Sequence, residues 1–117
     1  MTRFALLVRF ALAVPALALF LAFGSAPALA QSANVEIVVK DKKFEPSEVK
    51  APANARIVIR VTNKDAVAME FESKSLKLEK VVAPNSEGIL RVGPLKPGRY
   101  EFFDDFNQSN RGTLVVE

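Results

Sequence analysis

The stretch GPLKPGRYEFFDDFNQSNRG, Gly93–Gly112, decides the fold. It opens on Gly and Pro turn residues, runs through an aromatic strand, meets an acidic pair and passes into a polar loop. Side chains alternate between the two faces of a strand. Tyr100, Phe102 and Asp104 therefore share one face, and Glu101, Phe103 and Asp105 share the other. An apolar face thus ends in a carboxylate, Asp104, at its loop-proximal tip. A carboxylate withdrawn from water is costly unless it is paired, hydrogen-bonded or bound to a cation. Asp104 reads either as a cation ligand or as an acceptor that fixes the loop, through backbone N–H groups or a base such as Arg111.

Outward from this stretch the chain repeats short apolar segments. Thr113–Val116 follows it as a last strand. Before it come Ser86–Val92, Leu78–Val82, Met69–Ser73, Ala55–Thr62, Glu48–Ala51 and Val35–Val39. Ala55–Thr62 alternates most clearly, with Ile57, Ile59 and Val61 on one face. Pro46, Pro52, Asn54, Asn63-Lys64-Asp65 and Pro84-Asn85 punctuate the segments, and Lys74–Leu76 is a connection that can hold a helical turn. The reading is seven or eight strands with turn signals about every 8–12 residues, the signature of an all-β Greek-key sandwich. The expected core is Ile57, Ile59, Val61, Phe71, Leu90, Tyr100, Phe102, Leu114 and Val116.

The first thirty residues read differently. Arg3 and Arg9 precede an apolar run, Phe10–Phe23, and a small-residue end, Ala28-Leu29-Ala30. That is the layout of a cleaved secretory signal peptide, residues 1–30. One domain, residues 31–117, is expected to follow it. All 13 acids and all but two of the 16 bases lie after Ala30, so this domain carries +1. Near-balance gives no argument for nucleic acid or membrane surfaces. The chain has no Cys and no His. Disulfides, thiolate sites, imidazole ligands and the Ser-His-Asp and Cys-His triads are all excluded.

The segments F-E-P-S-E-V-K-A-P-A-N-A (Phe44–Ala55), N-K-D, E-F-E-S, E-K-V-V, G-P-L-K-P-G, G-R-Y-E-F-F-D-D-F-N and R-G-T-L-V-V resemble a cupredoxin-like domain. More narrowly, they resemble the periplasmic subset associated with iron permeases. The resemblance covers Val35–Val116 and implies a cupredoxin-like sandwich. It implies a periplasmic protein that binds copper or iron, or carries redox equivalents, beside an inner-membrane iron permease in high-affinity iron uptake. It points to an accessory rather than an enzyme. The alternative is a sandwich that partners the permease and binds no metal.

Against the blue-copper pattern of two His, one Cys and a weak Met, Met69 falls at the first His position, Asp104 at the Cys position and Asn107 at the second His position. Two positions where iron-associated relatives often have His are here Lys74 and Asn107. The candidate metal ligands are Met69, Glu72, Asp104 and Asp105, for a copper or iron ion. Met69 can be a soft ligand, although a Met among apolar strand residues is more often core. Glu70 and Glu72 share a face, and paired carboxylates suit a hard or borderline cation. Their ordinary role is a solvated outer face, as is a surface pair for Glu79-Lys80. Phe103 and Phe106 either present an apolar patch or shield the loop.

Overall fold

A computed structural model describes residues 32–117, together with Ala13 and Gly24. The signal-peptide expectation for residues 1–30 lies outside the described residues. Among the described residues, nine strands form two sheets. They are β1 (Ser32–Lys40), β2 (Lys43–Glu45), β3 (Glu48–Ala51), β4 (Arg56–Asn63), β5 (Met69–Ser73), β6 (Leu78–Val82), β7 (Ser86–Val92), β8 (Gly98–Asp104) and β9 (Asn107–Val116). One sheet runs β2-β1-β4-β7, the other β3-β9-β8-β5-β6. The strand in excess of the expected eight is β2, a three-residue piece paired to the end of β1. Among the described residues there is no helix, and Lys74–Lys77 is a turn.

Alternation builds the sandwich. On β4, Ile57, Ile59 and Val61 are fully buried while Arg56 and Arg60 are exposed. β1 lies parallel to it and sends Val35, Ile37 and Val39 inward. Across the core, Phe71 and Phe102 stack at 5.1 Å between ring centroids, and Phe44 meets Phe102 edge-on at 5.0 Å. Burying each such ring contributes roughly 1.5–3 kcal/mol, so this cluster anchors the two sheets. Eight of the nine expected core residues are buried. Tyr100 is half-buried instead, because its hydroxyl needs a partner and donates to the Lys96 carbonyl at 2.7 Å.

Two polar residues tie the loops. Asn63 is 1 % exposed, and its amide donates to the carbonyls of Val67, Val82 and Ala83 while accepting from Asp65 N–H. The Asp65 carboxylate accepts from the backbone N–H groups of Asp41 and Lys42, both in left-handed conformations.

The polar loop expected after the acidic pair is strand. Asp105 and Phe106 alone make the turn, and Asn107 already pairs with Asp104. Polarity misleads here because side chains supply the missing partners. Asn110 is buried and accepts from Phe44 N–H at 3.0 Å, and Gln108 donates to Asp105 at 3.1 Å. The register shifts between Phe103 and Asp104, so residues 108–110 bulge out of the ladder.

Candidate metal centre

The β8–β9 hairpin divides the acidic pair between two sides of the five-stranded sheet. Asp104 closes the inner face. It is 4 % exposed, and its Oδ1 accepts from Glu70 N–H and Phe106 N–H, both at 3.0 Å. Arg111 does not reach it and pairs with Glu101. Met69 lies in the core at 2 % exposure. Asn107 is half-buried, its amide directed to Ser109 and to the Lys42 carbonyl.

Those three positions are where the resemblance would place copper ligands, and they do not fit a blue-copper ion. There is no thiolate or imidazole in the sequence. The one carboxylate is committed to two backbone donors, and the one thioether is packed among apolar side chains. No electron-transfer step through copper follows from this donor set.

The outer face holds a different group. Glu72 on β5 stands opposite Glu79 on β6 and opposite Phe103 on β8. Directly opposed residues of antiparallel strands share a face. Glu70, two residues earlier on β5, lies beside Asp105, whose N–H donates to the Glu70 carbonyl at 2.9 Å. The carboxylate oxygens of Glu70, Glu72 and Asp105 come within 4.8 Å of one another. So the structure brings Glu72 and Asp105 together, adds Glu70 to them, and leaves Asp104 and Met69 on the other side.

The like charges leave their mark on protonation. Glu70 is pushed up from 4.5 to about 7 by a hydrogen bond to the Glu79 carboxyl, by burial, and by the charges of Glu79, Asp105 and Glu72. Glu72 is raised by desolvation and by Asp105 and Glu79, against a lowering by Lys74. Glu70 is only 7 % exposed, and no Lys or Arg pairs with it among the described residues. The carboxyl is held against three acids by its hydrogen bond to Glu79, which favours its protonated form. Oxygen-only donors suit a hard or borderline divalent cation.

Sequence reading paired Glu70 with Glu72 by their common face but did not set Glu70 in the ligand group. No local pattern announces it: a two-residue turn at Asp105-Phe106, after a register shift, carries Asp105 back over β5. Phe103 is buried beneath Arg111 and Lys74, whose cations lie 5.0 and 5.9 Å from its ring centroid. Phe106 is 56 % exposed. Of the two aromatics, Phe103 is covered and Phe106 is presented.

Comparisons with known proteins agree with this architecture. The sequence model of the cupredoxin-like domain matches residues 12–116. An uncharacterised protein of Rickettsia prowazekii is 41 % identical over 83 residues, 70 % of this chain. That alignment spans 66 % of the Rickettsia protein, just under two thirds of its length. The metal-binding domain of the Cu(I)-exporting P-type ATPase of Streptococcus pneumoniae superposes with a TM-score of 0.63 at 16 % identity, over 76 % of this chain and 90 % of that domain. The purple cupredoxin of Nitrosopumilus maritimus superposes with a TM-score of 0.55 at 15 % identity, over 71 % and 99 %. At such identities the structures speak for the fold. The sequence match carries the assignment, and the chain belongs to the cupredoxin-like domain family.

Proposed function

We propose that this protein is exported to the periplasm and holds a divalent cation, with iron(II) the expected cargo, as an accessory of high-affinity iron uptake beside an inner-membrane permease. The observation that carries cation binding is the convergence of Glu70, Glu72 and Asp105, with Glu70 buried and paired with no Lys or Arg among the described residues. The iron assignment rests on the oxygen-only donor set and on the resemblance of E-F-E-S and Y-E-F-F-D-D-F to the permease-associated subset. Copper(I), which prefers sulfur, is disfavoured by the same donor set. The test is anaerobic titration of the protein with Fe(II). One ion per chain is expected, with affinity about tenfold lower in Glu72→Gln, the loss of one charged ligand contact. An N-terminus at Gln31 in exported protein supports the localisation, and slower iron accumulation in cells lacking the protein supports the role. Absence of Fe(II) uptake by the wild type overturns the reading.

A second reading has its own observation. Asp104 is fully employed in holding its turn, while Val67 and Phe106 beside it stand 53 % and 56 % exposed. A metal-free module that docks through this end fits those facts. It predicts that Phe106→Ser slows iron accumulation while Fe(II) binding is absent from wild type and variant alike.

A further inference from the structure

The outer face of the four-stranded sheet carries its charges unevenly. Arg56, Val58 and Arg60 project there from β4 at alternate positions, and Arg91 of β7 stands directly opposite Val58. β1 and β7, the two neighbours of β4, each bring one carboxylate, Glu36 and Glu87. Both turn to Arg60, at 3.6 and 3.8 Å. Arg56 and Arg91 pair with no carboxylate among the described residues. The chain has no Asp or Glu before Glu36, so the residues ahead of Ser32 bring none to them. The two arginines are diagonal cross-strand neighbours, a separation of roughly 7–8 Å. Like charges at that distance repel, and no acidic side chain offsets them.

Both guanidiniums line one open hollow of about 450 Å³, within the range of small-molecule sites, about 300 to 1,000 Å³. Half-buried Val58 lies between them as an apolar wall, and Ser32, opposite Arg56 on β1, adds a hydroxyl. Gly93 bounds the hollow without a side chain. Its φ of 99° and the Ala55 carbonyl, 2.7 Å from where a Cβ would stand, keep it glycine. A guanidinium offers a planar fork that matches carboxylate or phosphate oxygens two at a time. Charge decides between the two anions. A carboxylate carries one charge and leaves one of the arginines uncompensated. A phosphate monoester carries about −1.5 to −2 at pH 7, with three oxygens to share between two forks. Its organic group then has Val58 to lie against.

We propose that this hollow binds the phosphate group of a phosphate monoester, with Arg56 and Arg91 as its two cations. The site lies on the other sheet from Glu70 and Glu72 and does not depend on the cation-binding reading. Calorimetric titration with phenyl phosphate tests it, with amide NMR shifts to locate the ligand. One molecule per chain is expected, with shifts at Ser32, Val58 and Gly93. Arg56→Gln and Arg91→Gln are each expected to weaken binding about tenfold, one charged contact. Arg91→Lys, which keeps the charge and loses the fork, is expected to weaken it as well. Lys43→Gln removes the same charge from exposed β2 and is expected to change nothing. Benzoate, with a single charge, is expected to bind about tenfold more weakly. Co-sedimentation with phosphatidylcholine vesicles carrying phosphatidic acid tells a free ester from a lipid one. Retention on those vesicles without phenyl phosphate binding, lost in Arg91→Gln, keeps the site and makes its ester a lipid headgroup. Binding of neither overturns the proposal. So does an equal loss in Lys43→Gln, which marks diffuse attraction, or benzoate bound as tightly as phenyl phosphate.

Discussion

Asp104 and Asp105 are neighbours in the chain and serve opposite faces of one sheet. Asp104 turns inward and takes two backbone N–H groups, at 3.0 Å each. Asp105 turns outward to the carboxylates of Glu70 and Glu72. One holds the hairpin against β5, and the other adds charge to a crowded acidic group. Asp104→Ala strands two backbone donors, the Glu70 one buried, and is expected to cost about 1–3 kcal/mol. Asp105→Asn removes like-charge repulsion and is expected to cost nothing. Urea unfolding of the two variants checks this, and equal losses would contradict the division.

The pH dependence of stability follows from Glu70. Its folded pKa is raised, from 4.5 to about 7. A raised acid binds its proton more readily folded than unfolded, so its contribution is fully present below about 4.5 and is lost as pH rises through about 7. Cation-free protein should therefore show a falling Tm across that window, and Glu70→Gln should flatten the fall. Thermal melts at several pH values, in chelator, measure it. An unchanged slope in Glu70→Gln would locate the titration elsewhere.

Much of the sandwich was legible from short apolar segments between turn signals. Met69–Ser73, which alternates, and Leu78–Val82 and Ser86–Val92, which turn residues bracket, form strands over the expected residues. The segment 107–111 was not legible, because its hydrogen-bond partners, Phe44 N–H and Asp105, are distant in sequence or lie around a bend. Asn63 shows the same limit: its sequence context reads as a turn residue, and only the fold brings three carbonyls to its amide. The candidate site was half legible. Strand period places Glu70 beside Glu72, but the register that sets Asp105 against them depends on a bulge no local pattern announces.

Gly112 is a packing requirement. A Cβ there would come within 2.3 Å of the Phe102 ring and 2.8 Å of the Ser47 carbonyl. Phe102 is held by Phe44 and Phe71 and cannot withdraw freely. Gly112→Ala is expected to destabilise the domain by about 1–3 kcal/mol, read from the denaturation midpoint. A stabilised variant would show that the hairpin can shift off the core.

Copper(II) added to the protein should give no intense visible band. That absorption comes from a thiolate–copper bond, and the chain has no Cys. A strongly blue or purple complex of the purified protein would contradict the oxygen-donor assignment.

The proposed cation site lies on the outer face, against Glu72 and Asp105, and not at the tip where Asp104 and Asn107 lie. Paramagnetic broadening of amide signals by substoichiometric Mn(II) tests this most directly, because it reports distance to the ion. Glu72, Glu79 and Phe103 are expected to broaden first, while Lys42, Val67 and Asn107 persist. Broadening that begins at Lys42, Val67 and Asn107, or that falls evenly on every exposed acid, would contradict it.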